Sequence, residues 1–185
     1  MRVGVTGHTS GLGKGIFDHL TTNGYTVNGF SRSNGFDIED PQTREKIISS
    51  CDVLVNNAYS TYQTTLLREV ISAWDGQDKM IINIGSKATM LPVVVPGDEE
   101  YVTQKKEQQE IIRGRFFHPY PQTVNLIIGL TNSRMGDKFE GKKLDPKNLA
   151  LLVEYIIVNK NELAIQEIVI DVPGQSWKEI KYAEN

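Results

Sequence analysis

The chain has 185 residues, 39% of them apolar and 23% charged, and its 20 basic against 23 acidic residues leave a net charge of −3. That is material for a single domain spanning 1–185, long enough to bury a core without staples, with no electrostatic drive toward nucleic acid or an anionic membrane. A lone cysteine, Cys51, excludes a disulfide framework and a cysteine zinc site, and no apolar run approaches the ~18 residues of a membrane span.

The first β-rich run, 2–6, starts directly after Met1 with no leader pattern before it, so a cytoplasmic location is the default expectation. It enters Thr6-Gly7-His8-Thr9-Ser10-Gly11-Leu12-Gly13, after which Ile16 and Leu20 mark one face of a helix over 12–22 that Gly24 ends. Runs at 25–30 and 36–38 precede a helix opened by Asp40 as N-cap and Pro41 at the first helical position. A fourth run covers 52–56. Leu66, Leu67, Val70, Ile71 and Trp74 then recur at helical spacing, and a fifth run follows at 80–84. Next come a helix over 101–115, a sixth run over 123–128, and a helix opened by Asp145-Pro146 that carries Leu149, Leu152, Val153, Ile156 and Ile157. The last run is 167–172. Nearly continuous apolar runs alternating with amphipathic helices predict an α/β fold, a doubly wound Rossmann-type parallel sheet of about seven strands with helices on both faces. The least regular stretches, 57–63, 87–100 and 132–144, follow strands and form the candidate binding edge.

In the first loop, Gly7 permits a tight turn, Gly11 allows close approach of the backbone to a phosphate, and Gly13 lets the helix pack closely. The helix N-terminus presents free N–H groups to an anion. A structural turn is the alternative reading of such a loop. The spacing is TGxxxGxG rather than GxGxxG. Further motifs follow in order: Asn56-Asn57-Ala58-Tyr59, then Asn83-Ile84-Gly85-Ser86, then Tyr101 and Lys105 as YxxxK, then Ile128-Gly129-Leu130-Thr131-Asn132-Ser133.

This ordered set, over residues 2 to 174, resembles the short-chain dehydrogenase/reductase family. Tyr59 stands where the family's NNAG motif has Gly, and Ile128 where its PG motif has Pro. The resemblance implies a catalytic Ser86, Tyr101 and Lys105. Tyr101 would donate a proton to a carbonyl oxygen, Ser86 would hold that oxygen, and Lys105 would lower the tyrosine's pKa and hydrogen-bond the nicotinamide ribose. A surface helix carrying Tyr and Lys by accident is the alternative. The resemblance further implies cofactor contacts from Gly7, Thr9, Ser10, Gly11, Leu12, Gly13, Asn57, Ala58, Tyr101, Lys105, Gly129, Thr131 and Ser133. It also implies an Asn on the helix before the fifth run. The helix over 64–74 has none, and the interval from Asn57 to Ser86 is short for the family, so the chain reads as a truncated member.

An NAD site places an acid at the end of the second strand. Here that strand ends Gly29-Phe30-Ser31-Arg32-Ser33. Arg32 can pair with a 2′-phosphate and the Ser31 and Ser33 hydroxyls can bond it, so NADP(H) is the preferred cofactor and NAD(H) the alternative. An ordinary solvated loop charge is the other reading of Arg32. Asp37 matches the family's aspartate near the adenine ring, with a plain loop Asp as the alternative.

The substrate pocket is expected from 59–63, 87–100 and 135–143, with Met90, Leu91, Pro92, Val93, Val94 and Val95 as an apolar wall. The third segment is short and charged, which suggests an open site. The face Lys105-Lys106-Glu107-Gln108-Gln109-Glu110 is a poor hydrophobic seam, so a monomer, or a dimer not built on the family's usual four-helix interface, is expected. His8, His19 and His118 lack metal-ligand spacing. Trp74 reads as core, Cys51 as a buried small residue, and Trp177 as part of a tail that packs back on the domain. The expected function is an NADP(H)-dependent oxidoreductase moving hydride between nicotinamide and a small carbonyl or alcohol. The alternatives are a non-catalytic nucleotide-binding sensor on the same fold and a nucleotide-sugar epimerase or dehydratase. The latter branch usually has TGxxGxxG and a larger C-terminal substrate domain.

Overall fold

Side chains of a strand alternate between the two faces of its sheet. Val53 and Val55 therefore face one side and Leu54 the other, and both sides are buried. A sheet apolar on both faces must be covered on both, and that is the architecture of the computed structural model, which describes residues 1–92, 94–133, 135–174, 176 and 181–182. Val93 and Trp177 lie outside the described residues.

Six parallel strands form the sheet: β1 (Arg2–Thr6), β2 (Thr26–Phe30), β3 (Val53–Asn56), β4 (Met80–Ser86), β5 (Gln122–Ile128) and, after the short β6 (Phe139–Glu140), β7 (Glu167–Ile170). Their order is β2-β1-β3-β4-β5-β7. β6 pairs antiparallel with β8 (Lys181–Tyr182). On one face lie α1 (Gly11–Thr22) and α5 (Pro146–Val158), whose Ile16, Leu20, Val153 and Ile156 meet Val3, Val5, Ile82 and Leu126. On the other lie α2 (Pro41–Ser50), α3 (Gln63–Ala73) and α4 (Glu99–Arg113), packed on Leu54 and Ile81 through Ile47, Leu66, Val70, Trp74 and Ile112. Both Asp-Pro starts are realised: Asp40 caps α2 through the N–H groups of Gln42 and Thr43, and Asp145 caps α5 through Lys147. No described helix is long and apolar enough to cross a membrane.

The expected strand at 36–38 is a correction, and it accounts for six strands rather than seven. Ser31 opens a 3₁₀ turn over Arg32–Asn34, and its carbonyl accepts the Phe36 N–H at 2.9 Å. The carbonyls of Ile38 and Glu39 accept from the Arg44 guanidinium at 2.9 and 3.0 Å. With those backbone groups occupied locally, the segment caps the sheet end, its Phe36 ring edge-on to Phe30. A second correction concerns α4. The polar run read as a poor hydrophobic seam is not all surface: Lys105, Gln108 and Gln109 are buried against the sheet and α3.

Candidate active site

In an open parallel sheet, the crevice lies beyond the C-terminal strand ends where the strand order reverses. That point falls between β1 and β3, and the loops after both strands are tied together there. The Thr6 hydroxyl accepts the N–H groups of Asn57 and Ala58 at 2.8 and 2.9 Å, and the Asn57 amide donates to the Thr6 carbonyl at 2.9 Å. Gly7 turns the chain with φ +71°. A Cβ on Gly13 would stand 2.3 Å from the Gly7 carbonyl oxygen, a backbone atom that cannot yield cheaply. Gly13→Ala is accordingly expected to cost about 1–3 kcal/mol, read as a lower midpoint in denaturant unfolding.

Ser10 is the N-cap of α1, and its side chain makes no cap hydrogen bond, so the first N–H groups of the helix face the cleft. Leu12 turns its side chain into the core and offers only its backbone to that cleft. Beside it, three hydroxyls form a triangle. Thr9 and Ser31 are 3.0 Å apart, Ser31 and Ser33 3.0 Å, and Ser33 and Thr9 3.2 Å. Arg32 is exposed next to them, and its guanidinium makes no hydrogen bond or ion pair with another described residue. Asp37 accepts the Glu39 N–H at 3.1 Å within its own turn. From the far side, Ser133 closes over Gly11, where an added Cβ would meet its Cβ at 3.1 Å. Thr131 and Ser133 bond the carbonyls of Gly129 and Thr131 respectively, which fixes the loop after β5. The arrangement offers helix N–H donors, hydroxyls and one unengaged guanidinium, groups able to hold a phosphorylated ligand.

Ser86 ends β4 and caps the next short turn, its hydroxyl accepting the Ala88 N–H at 3.2 Å. Tyr101 and Lys105 stand one turn apart on α4. The Ser86 hydroxyl interacts with the Tyr101 phenol. Tyr59, the departure from the Gly of the motif, is half-exposed, with its ring edge-on to Tyr101 at 5.1 Å. Burial pushes the Tyr101 phenol above its usual 10; Ser86 opposes the shift, and Asp98 and Tyr59 add to it.

Lys105 departs from its expected role. Its Nζ lies 5.7 Å from the centre of the Tyr101 ring, but it points inward, donating to Gln63 Oε1 at 2.8 Å, the Ile84 carbonyl at 2.7 Å and Gln108 Oε1 at 3.5 Å. Burial holds its pKa down, to about 7. The expected lowering of the tyrosine's pKa by this lysine is therefore corrected: desolvation dominates, and the phenol goes up.

The residue that sequence reasoning missed is Gln63. It sits in the first turn of α3, fully buried, with its Nε2 donating to the Asn56 carbonyl at 2.9 Å. Behind it, Asn56, Asn83 and Asn125 stand in register on β3, β4 and β5 and face α3 and α4. Asn56 donates to Asn83 at 3.0 Å, and Asn83 to Asn125 at 3.1 Å. Three polar residues in otherwise apolar strands were the available signal. Asn56 meets Gln63 only seven residues on, but the meeting of Gln63 with Lys105, 42 residues further, was not readable.

No family sequence model matches the chain, and no curated protein matches it by sequence. Solved structures do match. A serine dehydrogenase from Escherichia coli superposes with TM-score 0.76 at 19% identity, over 96% of this chain and 100% of that one. A 3-ketoacyl-(acyl-carrier-protein) reductase from Brucella melitensis, complexed with NADH, gives 0.74 at 16% identity, over 92% and 96%. A short-chain dehydrogenase from Burkholderia cenocepacia, in complex with NADP, gives 0.73 at 17% identity, over 92% and 88%. At these identities the likeness is one of fold.

Proposed function

We propose that this chain, which carries the Rossmann-type fold of those dehydrogenases and reductases, is an NADP(H)-dependent oxidoreductase acting on a small carbonyl or alcohol. The observation that carries the reading is the meeting of Ser86 and Tyr101, one helical turn from Lys105, on the sheet edge that also holds the glycine cradle. The cradle fits a dinucleotide: Gly13 lets α1 pack against the Gly7 turn, and the open N-terminus of α1 aims donors at it. Arg32, with the Thr9, Ser31 and Ser33 hydroxyls beside it, supports a 2′-phosphate there. Asp37, Asn57, Ala58, Gly129, Thr131 and Ser133 are the remaining residues this reading assigns to the dinucleotide.

A nicotinamide bound there supplies the hydride. The residues supply placement and a proton. Ser86 holds the substrate oxygen beside the phenol. Tyr101, kept protonated at neutral pH by its raised pKa, donates to that oxygen as negative charge develops, which favours the reductive direction. Half-exposed Tyr59, its ring edge-on to Tyr101, presents an aromatic surface to the substrate, and Met90, exposed in the turn after β4, adds an apolar one. The test is oxidation of NADPH by the full chain over a panel of small aldehydes and ketones. Turnover of at least one supports the reading, and conversion of nucleotide sugars without net NADPH oxidation would replace it. Arg32→Ala is expected to weaken NADPH binding by about 10–100-fold, from the loss of roughly 1.5–3 kcal/mol of charge-assisted bonding, and to leave NADH affinity nearly unchanged. Calorimetry with both nucleotides checks it.

A further inference from the structure

Resting on the hydride-transfer reading of the site, we infer that Gln63 is the positioning residue for Lys105, fixing its ammonium beneath Tyr101 by a direct side-chain bond. Gln63 has no solvent exposure, so both ends of its amide need partners inside the protein. Both have them, and each partner suits one end only. Oε1 accepts from Lys105 Nζ at 2.8 Å, and Nε2 donates to the Asn56 carbonyl at 2.9 Å. Rotating the amide would set its NH₂ against an ammonium and oxygen against oxygen, so its orientation is determined. The Gln63 backbone carbonyl is held as well, by the Asn56 side chain at 3.3 Å.

The glutamine is thus anchored to the end of β3, and Asn56 is anchored through Asn83 to Asn125 across the sheet. The lysine's other close acceptor, the Ile84 carbonyl at 2.7 Å, belongs to β4 two positions before Ser86. The sheet therefore sets where Nζ sits relative to both Ser86 and Tyr101, and Gln63 is the side-chain half of that hold.

Lys105 is faced by Gln63 from α3, by the Ile84 carbonyl from β4, and by Gln108 and Tyr101 from α4. Thr64 and Asn83 stand behind Gln108. None of these is a carboxylate, and burial alone accounts for the lowered pKa of the lysine. A cation solvated by so few dipoles responds strongly to the loss or charging of one of them.

The experiment is an NMR titration of lysine side chains in the full chain without nucleotide, the Lys105 signal assigned by its absence in Lys105→Arg. The wild-type midpoint is expected near 7. Gln63→Glu keeps the shape and places a carboxylate at the ammonium, and the midpoint is expected to rise by about 1–3 pH units. Gln63→Met keeps the volume, removes the acceptor and lowers the midpoint. The pH–rate profile of carbonyl reduction is expected to move in the same direction in each variant. If Gln63→Met fails to fold, Gln63→Glu alone decides. An unchanged midpoint in a folded Gln63→Glu protein would overturn the inference, as would a midpoint that moves while the pH–rate profile stays fixed. Midpoints that move in proteins that never oxidise NADPH would overturn the proposed function, and the positioning role with it, while the lysine–glutamine bond itself would stand.

Discussion

Tyr101→Phe is expected to reduce carbonyl turnover by about 10²–10⁴-fold while leaving nucleotide affinity nearly unchanged. The substitution removes one oxygen. The ring stays packed against Tyr59 and the turn of α4 is undisturbed, so a fall in turnover reports the proton and not the fold. Binding of nucleotide, measured separately, guards against a collapsed cradle. Activity that survives the change would show that some other group protonates the substrate. The raised pKa adds a sign to the pH dependence. Reduction needs the protonated phenol, so ionisation of Tyr101 imposes no fall in rate through neutrality and sets in only above the range of an ordinary tyrosine, which leaves any limb near neutrality to Lys105.

Lys105→Met is expected to change the way stability depends on pH. The lysine titrates near 10.5 when free and near 7 when folded, because burial disfavours its charge. Between those values the unfolded chain binds a proton at this position that the folded chain does not. Stability therefore rises with pH across that window, by up to ~1.4 kcal/mol per pH unit from this group. Below the folded value both states are protonated and the folded state bears the whole desolvation penalty. Denaturant unfolding of wild type and Lys105→Met at pH about 7 and about 9 is expected to show a stability difference that changes by roughly 2–3 kcal/mol in favour of wild type. The freed acceptors of Gln63 and Ile84 add a constant offset and leave this slope untouched. Parallel pH curves would mean that the lysine titrates alike in both states.

Much of the fold was legible because its signals are local. Asp40-Pro41 and Asp145-Pro146 start helices through their own side chain and ring, and Ile16 and Leu20 show the buried face of α1 by spacing alone. The segment 36–38 misled because its apolar residues suit a strand, whereas the carbonyls of Ile38 and the adjoining Glu39 are claimed by Arg44, a partner identified only once α2 is folded against it. The site divides the same way. The glycine loop announces itself by position after β1 and before α1. Tyr101 and Lys105 are neighbours by helical geometry, but that geometry does not say that Nζ turns inward. Its direction depends on Gln63 and on strand register, and both are long-range facts. Lys105, Gln108 and Gln109 look like a solvated face because polar residues usually are. They are buried here because Gln63 and the Ile84 carbonyl, Asn83 and Glu167 give them partners.

Calorimetric titration of the purified full chain with NADPH and with NADH is expected to show saturable binding of one nucleotide per chain, tighter for NADPH, with the difference abolished in Arg32→Ala. Binding of neither nucleotide would contradict the proposed function, because the cradle formed by Gly7, Gly13, the N-terminus of α1 and the Thr9, Ser31 and Ser33 hydroxyls would then have no dinucleotide to hold.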